Sequence, residues 1–209
     1  GKFDWKASNV PLFTEPDANY HGLRWAQDLP AELAPIAFAL RFRTVPLRNL
    51  GACLSPDNAW IFLIGCETLH IRMERHSQNG LAAAKFLKNH PEVAWVRYPG
   101  LEDDPAYPVA NKQLKDGSGG MVVFGIKAGN GQTATERGRQ FIENLKLFSH
   151  VSNVGDAKSL ATHPASTTHS QMSEEEQRAS GLQPELVRLS IGIEHIDDIL
   201  GDLEQALAR

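Results

Sequence analysis

The chain has 209 residues, of which 21 are basic and 25 acidic, for a formal charge of −4; it is long enough for one domain plus part of another and carries no electrostatic footprint for nucleic acid. The longest apolar run, Ala59 to Cys66, is far short of the roughly 20 residues needed to cross a bilayer, and no charged-then-apolar leader opens the chain. Two cysteines, Cys53 and Cys66, make neither a disulfide framework nor a metal pair, which points to a reducing, cytoplasmic setting.

The first fifty residues hold Pro11, Pro16, Pro30, Pro35 and Pro46, each removing a backbone donor and restricting its predecessor, so this stretch reads as extended and turn-rich with a helix over Ala31 to Arg43. Ser55-Pro56-Asp57 is a helix start: a side-chain cap, a proline at the first position and an acid at the positive end of the dipole. That helix is expected to bend or restart at Gly65, and a second one runs from Glu67 to Asn89 before Pro91 stops it. Val93 to Tyr98 and Met121 to Lys127 read as strands, with a short helix over Pro105 to Lys115 between them. Gly117, Gly119 and Gly120 form a turn and not a phosphate loop, since the required lysine motif is missing. After a Gly129-Asn130-Gly131 turn, Ala134, Gly138, Phe141, Ile142 and Leu145 mark one face of an amphipathic helix, and Leu147 to Ser152 is a third strand. Ser173 to Glu176 has the spacing of a capping box, with Gly181 as the stop, which explains the acidic run as helix-end chemistry. Leu186 to Gly192 is a fourth strand, and Ile196, Ile199, Leu200, Leu203 and Leu207 stripe a terminal helix. The expected fold class is therefore α/β, about four strands covered on one side by helices.

In the fourth strand, alternation sets Val187, Leu189 and Ile191 on the covered face and Arg188 on the opposite one. A guanidinium matches a carboxylate with two parallel bonds, so Arg188 either holds a carboxylate ligand or pairs with a surface acid. Asn153, in the turn Ser152-Asn153-Val154-Gly155, offers both a donor and an acceptor, and is equally suited to being an ordinary turn asparagine. Ser159 by itself reads as a hydrogen-bonded loop serine. His150, His163 and His169, spaced by 13 and 6 residues, match no metal pattern and have no cysteine nearby, so no metal site is expected and all three read as loop histidines.

The segment Ser152 to Leu207 carries N-V-G-D-A-K-S-L and then H-P-A-S-T-T-H, and in these it resembles the carboxy-terminal end of the Cys/Met-metabolism family of pyridoxal-phosphate enzymes, most closely its O-acetylhomoserine sulfhydrylase branch. T-L-H-I-R-M at Thr68 to Met73 is similar to the T-L-x-x-R-M of that family's interdomain helix, and G-K-F-D-W-K-A at the start is similar to the segment after the cofactor lysine. The resemblance implies the small carboxy-terminal domain of a fold-type I enzyme over residues 76–209, preceded over 1–75 by the tail of the large cofactor domain. Severed from its parent sheet, that tail would expose Trp5, Phe13, Trp25 and Phe38. It implies that Arg188, through V-R-L-S-I-G-I-E, binds a substrate carboxylate, with Asn153 and Ser159 beside it; the three loop histidines are read as supporting substrate access. None of the nine lysines stands in the family's S-A-T-K motif, so no catalytic or cofactor-binding residue is expected in this chain, and covalent pyridoxal 5′-phosphate is expected only in the parent. The start lacks an initiator Met, as a truncation or cleavage product would.

The implied parent replaces the γ substituent of O-acetyl-L-homoserine with sulfide or methanethiol. Its implied partners are an amino-acid substrate, the missing amino-terminal domain and further copies of itself, with neither nucleic acid nor membrane. The alternative is a non-catalytic amino-acid-binding or assembly domain derived from the same family.

Overall fold

A computed structural model describes residues 3–129 and 131–208. Gly1 and Lys2 of the expected start, and Asn130 of the expected turn, lie outside the described residues. Packing divides the chain into two compact units, Gly1–Phe62 and Leu63–Arg209. Among the described residues no helix is long and apolar enough to cross a membrane.

The first unit holds the short helices α1 (Pro11–Thr14), α2 (Ala37–Phe42) and α3 (Arg48–Leu50). The helix expected over Ala31 to Arg43 is divided: a 3₁₀ turn at Ala34–Ile36 leads into α2, and a π-helical turn at Arg43–Leu47 follows around Pro46, which has no amide hydrogen to continue the regular ladder. Exposure of all four aromatic residues is corrected here. Phe13 and Trp25 are buried at 6% and 3% exposure, Trp5 is half-buried and stacks on Phe13 at 4.3 Å, and only Phe38 is exposed, at 54%. The rings cover one another, and Trp25 Nε1 donates to Asp17 at 2.9 Å, so a small cluster closes around groups that would otherwise face water.

Helix α4 (Pro56–Glu67) starts as the cap predicts, with Ser55 Oγ accepting from the Asn58 amide at 3.3 Å. It does not restart at Gly65 but continues to Glu67. The break falls at Thr68 (φ −107°, ψ 2°), before α5 (Leu69–Asn89) begins. Arg72 bridges it, donating to Thr68 Oγ1 at 3.3 Å and to the Gly65 carbonyl at 2.6 Å, which supplies one of the carbonyls left open at the end of α4. The apolar run becomes a helix whose Trp60, Ile61, Phe62 and Leu63 are each 59–65% exposed.

The second unit is built on a mixed sheet of β1 (Val93–Arg97), β2 (Met121–Ile126), β3 (Ser149–His150), β4 (Leu160–Thr162) and β5 (Leu186–Ser190), in the order β1-β2-β5-β4-β3. All pairs are antiparallel except β3 with β4. The sheet therefore has five strands, not four. The unforeseen one, β4, has three residues, all buried, so it shows no alternation by which to find it. The third expected strand contracts from Leu147–Ser152 to Ser149–His150 because among the described residues it pairs with that short strand alone.

Helices α6 (Tyr107–Gln113), α7 (Ala134–Asn144), α8 (Glu174–Ala179) and α9 (Ile196–Leu207) complete the unit. Leu87 of α5, Phe141 and Ile142 of α7, and Ile199, Leu203 and Leu207 of α9 share one core with Val122, Phe124, Val187 and Leu189 of the sheet. That core occupies a single face, and the alternating residues of β2 and β5 point away from it.

Candidate functional site

The open face of the sheet is organised by strand register. Arg97 of β1 lies opposite Val123 of β2, Val123 opposite Arg188 of β5, and Arg188 opposite Thr162 of β4, so these four share one row. Arg188 is half-buried, flanked in its own strand by the fully buried Val187 and Leu189. A groove of about 530 Å³ on this face is lined by Trp95, Arg97, Val123, Gly181, Gln183 and Leu186. Arg97 is already paired with Asp104 at 3.0 Å. Arg188 differs: among the described residues it has no carboxylate within ion-pair distance, and its hydrogen-bond partner is Ser152 Oγ at 3.0 Å.

That bond brings the second element to the site. The segment Val151 to Lys158 between β3 and β4 is exposed throughout, and Asn153 follows Ser152 directly. Among the described residues the Asn153 side chain has no hydrogen-bond partner, leaving its donor and acceptor free. The turn is fixed at Gly155, whose φ of +79° is a backbone conformation that favours glycine, and whose amide donates to Ser190 Oγ of β5 at 3.2 Å. The turn is thus tied to β5 at two points, Ser152 to Arg188 and Gly155 to Ser190, with Asn153 between them. No local pattern distinguishes the two serines; only the folded connection between β3 and β4 brings them to this strand.

Ser159 sits elsewhere in the arrangement. It is fully buried, its hydroxyl donating to Glu194 Oε2 at 2.9 Å and accepting from the Gly192 amide at 2.8 Å. Its side chain holds the root of the turn and presents no surface of its own. The three histidines separate in the same way. His150 is exposed and His169 half-buried, but His163 is fully buried, with its ring bonded to Ser166 Oγ at 2.9 Å and the Pro184 carbonyl at 2.8 Å. His163 thus stands in the connection after β4 with its ring packed into the core. Among the described residues no group of histidine, cysteine or acid could hold a metal ion.

A covalent pyridoxal-phosphate site needs an amine made nucleophilic at neutral pH by burial or a neighbouring charge. Every lysine among the described residues is exposed. The glycine turn at 117–120 leads into β2 and not into a helix whose amino terminus would receive a phosphate. Among the described residues neither a buried lysine nor a glycine turn opening a helix offers such a site.

Residues 20–208 match the family of Cys/Met metabolism PLP-dependent enzymes. The chain is 47% identical to O-acetyl-L-homoserine sulfhydrylase 1 of Thermus thermophilus over 100% of its own length and 47% of that protein. It is 50% identical to O-acetyl-L-homoserine sulfhydrylase of Leptospira meyeri over 99% of its own length and 47% of that protein. Among solved structures it resembles a putative O-acetylhomoserine (thiol)-lyase from Campylobacter jejuni, which carries a pyridoxyl-lysine monophosphate, with a TM-score of 0.76 and 41% identity over 95% of this chain and 45% of that one. The chain belongs to the Cys/Met-metabolism family of pyridoxal-phosphate-dependent enzymes. It spans about half the length of the curated relatives it matches.

Proposed function

We propose that this chain supplies the substrate-carboxylate side of a γ-replacement enzyme that converts O-acetyl-L-homoserine and sulfide or methanethiol to homocysteine or methionine and acetate. The observation that carries this reading is Arg188: half-buried, without an acid partner among the described residues, and tied to the turn that presents Asn153. An arginine fork with an adjacent free amide suits an α-carboxylate, and held this way the carboxylate sets the orientation of the rest of the substrate. Ser159 belongs to the site as its internal support. Electron withdrawal from the substrate resides in pyridoxal phosphate. We assign the cofactor's lysine, phosphate cradle and ring partner to sequence outside this chain, in the half of the relatives' length that it does not span.

On the same reading residues 1–75 derive from the large cofactor domain and residues 76–209 form the small domain of a fold-type I enzyme. The working enzyme is a cytoplasmic homo-oligomer. The similarity to the sulfhydrylases supports the substrate, and the α/β architecture with one open sheet face supports the domain assignment.

The test is Arg188→Lys in the protein that contains this chain. Lysine keeps the charge but not the fork, and a charge-assisted bond contributes roughly 1.5 to 3 kcal/mol, so specificity for O-acetylhomoserine should fall about ten- to a hundredfold with cofactor absorbance unchanged. Normal turnover combined with easier unfolding would show that Arg188 is structural and reject the reading. A protein that binds the amino acid but never turns it over would favour the binding-domain alternative.

A further inference from the structure

Glu194 lies just past β5, half-buried, at the approach to α9. Among the described residues it has no cationic partner. Its two carboxylate oxygens instead grip one residue: Oε1 accepts from the Ser159 amide at 2.6 Å and Oε2 from the Ser159 hydroxyl at 2.9 Å. The same junction makes three more ties. The Gly192 amide donates to Ser159 Oγ at 2.8 Å, the Ile193 amide donates to the Ala157 carbonyl at 2.9 Å, and Asn79 Nδ2 of α5 holds the Gly192 and Glu194 carbonyls at 3.0 Å each. A side chain at Gly192 would collide with the Glu194 carboxylate and the Ala157 carbonyl, so the close approach depends on glycine.

We propose that Glu194 is a positioning residue for the carboxylate-binding pair: by clamping Ser159 it fixes the far end of the turn that carries Ser152 and Asn153, and so their distance from Arg188. This rests on the carboxylate role of Arg188. The near end of the turn is set by β3, its middle by the Gly155–Ser190 bond, and its far end by Glu194. Neutral donors alone engage the acid, and what it holds is the buried root of the otherwise exposed segment 151–158. Its effect therefore falls on ligand placement more than on the core.

In the protein containing this chain, Glu194→Ala should raise KM for O-acetylhomoserine about ten- to thirtyfold while kcat stays within about threefold, because the ground-state grip loosens but the reacting groups do not change. In the same variant, hydrogen exchange should accelerate at residues 152–159 and not in α5, α7 or α9. Glu194→Gln should restore KM to within about threefold, since an amide spans the same two atoms with the Ser159 hydroxyl turned to accept. An unchanged KM in Glu194→Ala, exchange accelerated across the whole unit, or a glutamine variant as impaired as alanine would overturn the proposal. Should Glu194→Ala fail to fold, Glu194→Asp, one methylene short of gripping both atoms, should raise KM about three- to tenfold, and no change there would overturn it equally. Arg188→Lys measured in parallel separates the two claims. If it raises KM and Glu194→Ala does not, positioning alone fails; if neither changes KM, the carboxylate reading fails and positioning with it.

Discussion

The ring of His163 has no exposed surface, and its two nitrogens are distinguished by their partners. The Pro184 carbonyl can only accept, so Nε2 carries the hydrogen and Nδ1 accepts from Ser166 Oγ. Burial lowers the pKa of His163 below its ordinary 6.5, the Pro184 bond opposes that shift, and the nearby His150 adds to it. The unfolded chain therefore takes up the proton first as pH falls. The stability contributed by neutral His163 is complete above its unfolded pKa and declines as pH drops below about 6.5 toward the lower folded value. Chemical denaturation at about pH 7.5 and about pH 5.5 should show this loss, and His163→Asn should remove that part of the slope. An identical slope in the variant would assign the pH dependence to other groups. Gly138 of α7 packs so closely on the same ring that an added Cβ would stand 2.5 Å from Nε2. Gly138→Ala should accordingly lower stability by about 1 to 3 kcal/mol despite its better helix propensity, as a melting curve will show.

Elements in this chain are held by acids of two kinds. At the surface, Thr133 with Glu136 and Ser173 with Glu176 form capping boxes at the starts of α7 and α8, each glutamate accepting from its own cap residue. In the interior, Asp202 of α9 accepts from the amides of Lys146, Leu147 and Phe148 at 2.8–3.2 Å, and so fastens the connection between α7 and β3 to the last helix. The two kinds differ in what their loss exposes. Ser173→Ala removes a bond that water replaces and should cost about 1 kcal/mol. Asp202→Ala leaves the amides of three consecutive residues without their carboxylate, one of them, that of the buried Phe148, out of reach of water, and should cost about 2 to 3 kcal/mol. Equal losses in the two variants would reject this ordering.

For the whole molecule, the exposed lysines and the open sheet face make one expectation together. The chain treated with pyridoxal phosphate and then borohydride should retain no adduct concentrated on a single lysine, and should show no internal-aldimine absorbance. A stoichiometric adduct on one lysine would contradict the assignment of the cofactor site to sequence outside it. Along α4, Trp60, Ile61, Phe62, Leu63 and Ile64 form a consecutive run of exposed apolar residues.

Much of this was determined by the sequence alone, because it depends on neighbours two to four residues apart. The stripes of α7 and α9, the Ser173 capping box, the start of α4 and the alternation that turns Arg188 away from the core all follow from local periodicity and end chemistry. Motif likeness singled out Arg188, Asn153 and Ser159 as candidates, though not the geometry relating them. The tertiary structure decided the rest. It buried all three residues of β4, closed the aromatic cluster around Phe13 and Trp25, and placed His163 in the core. It also joined Ser159 to Glu194 across 35 residues. Contacts at that separation depend on which strands pair and in what register, and no period along the chain encodes them.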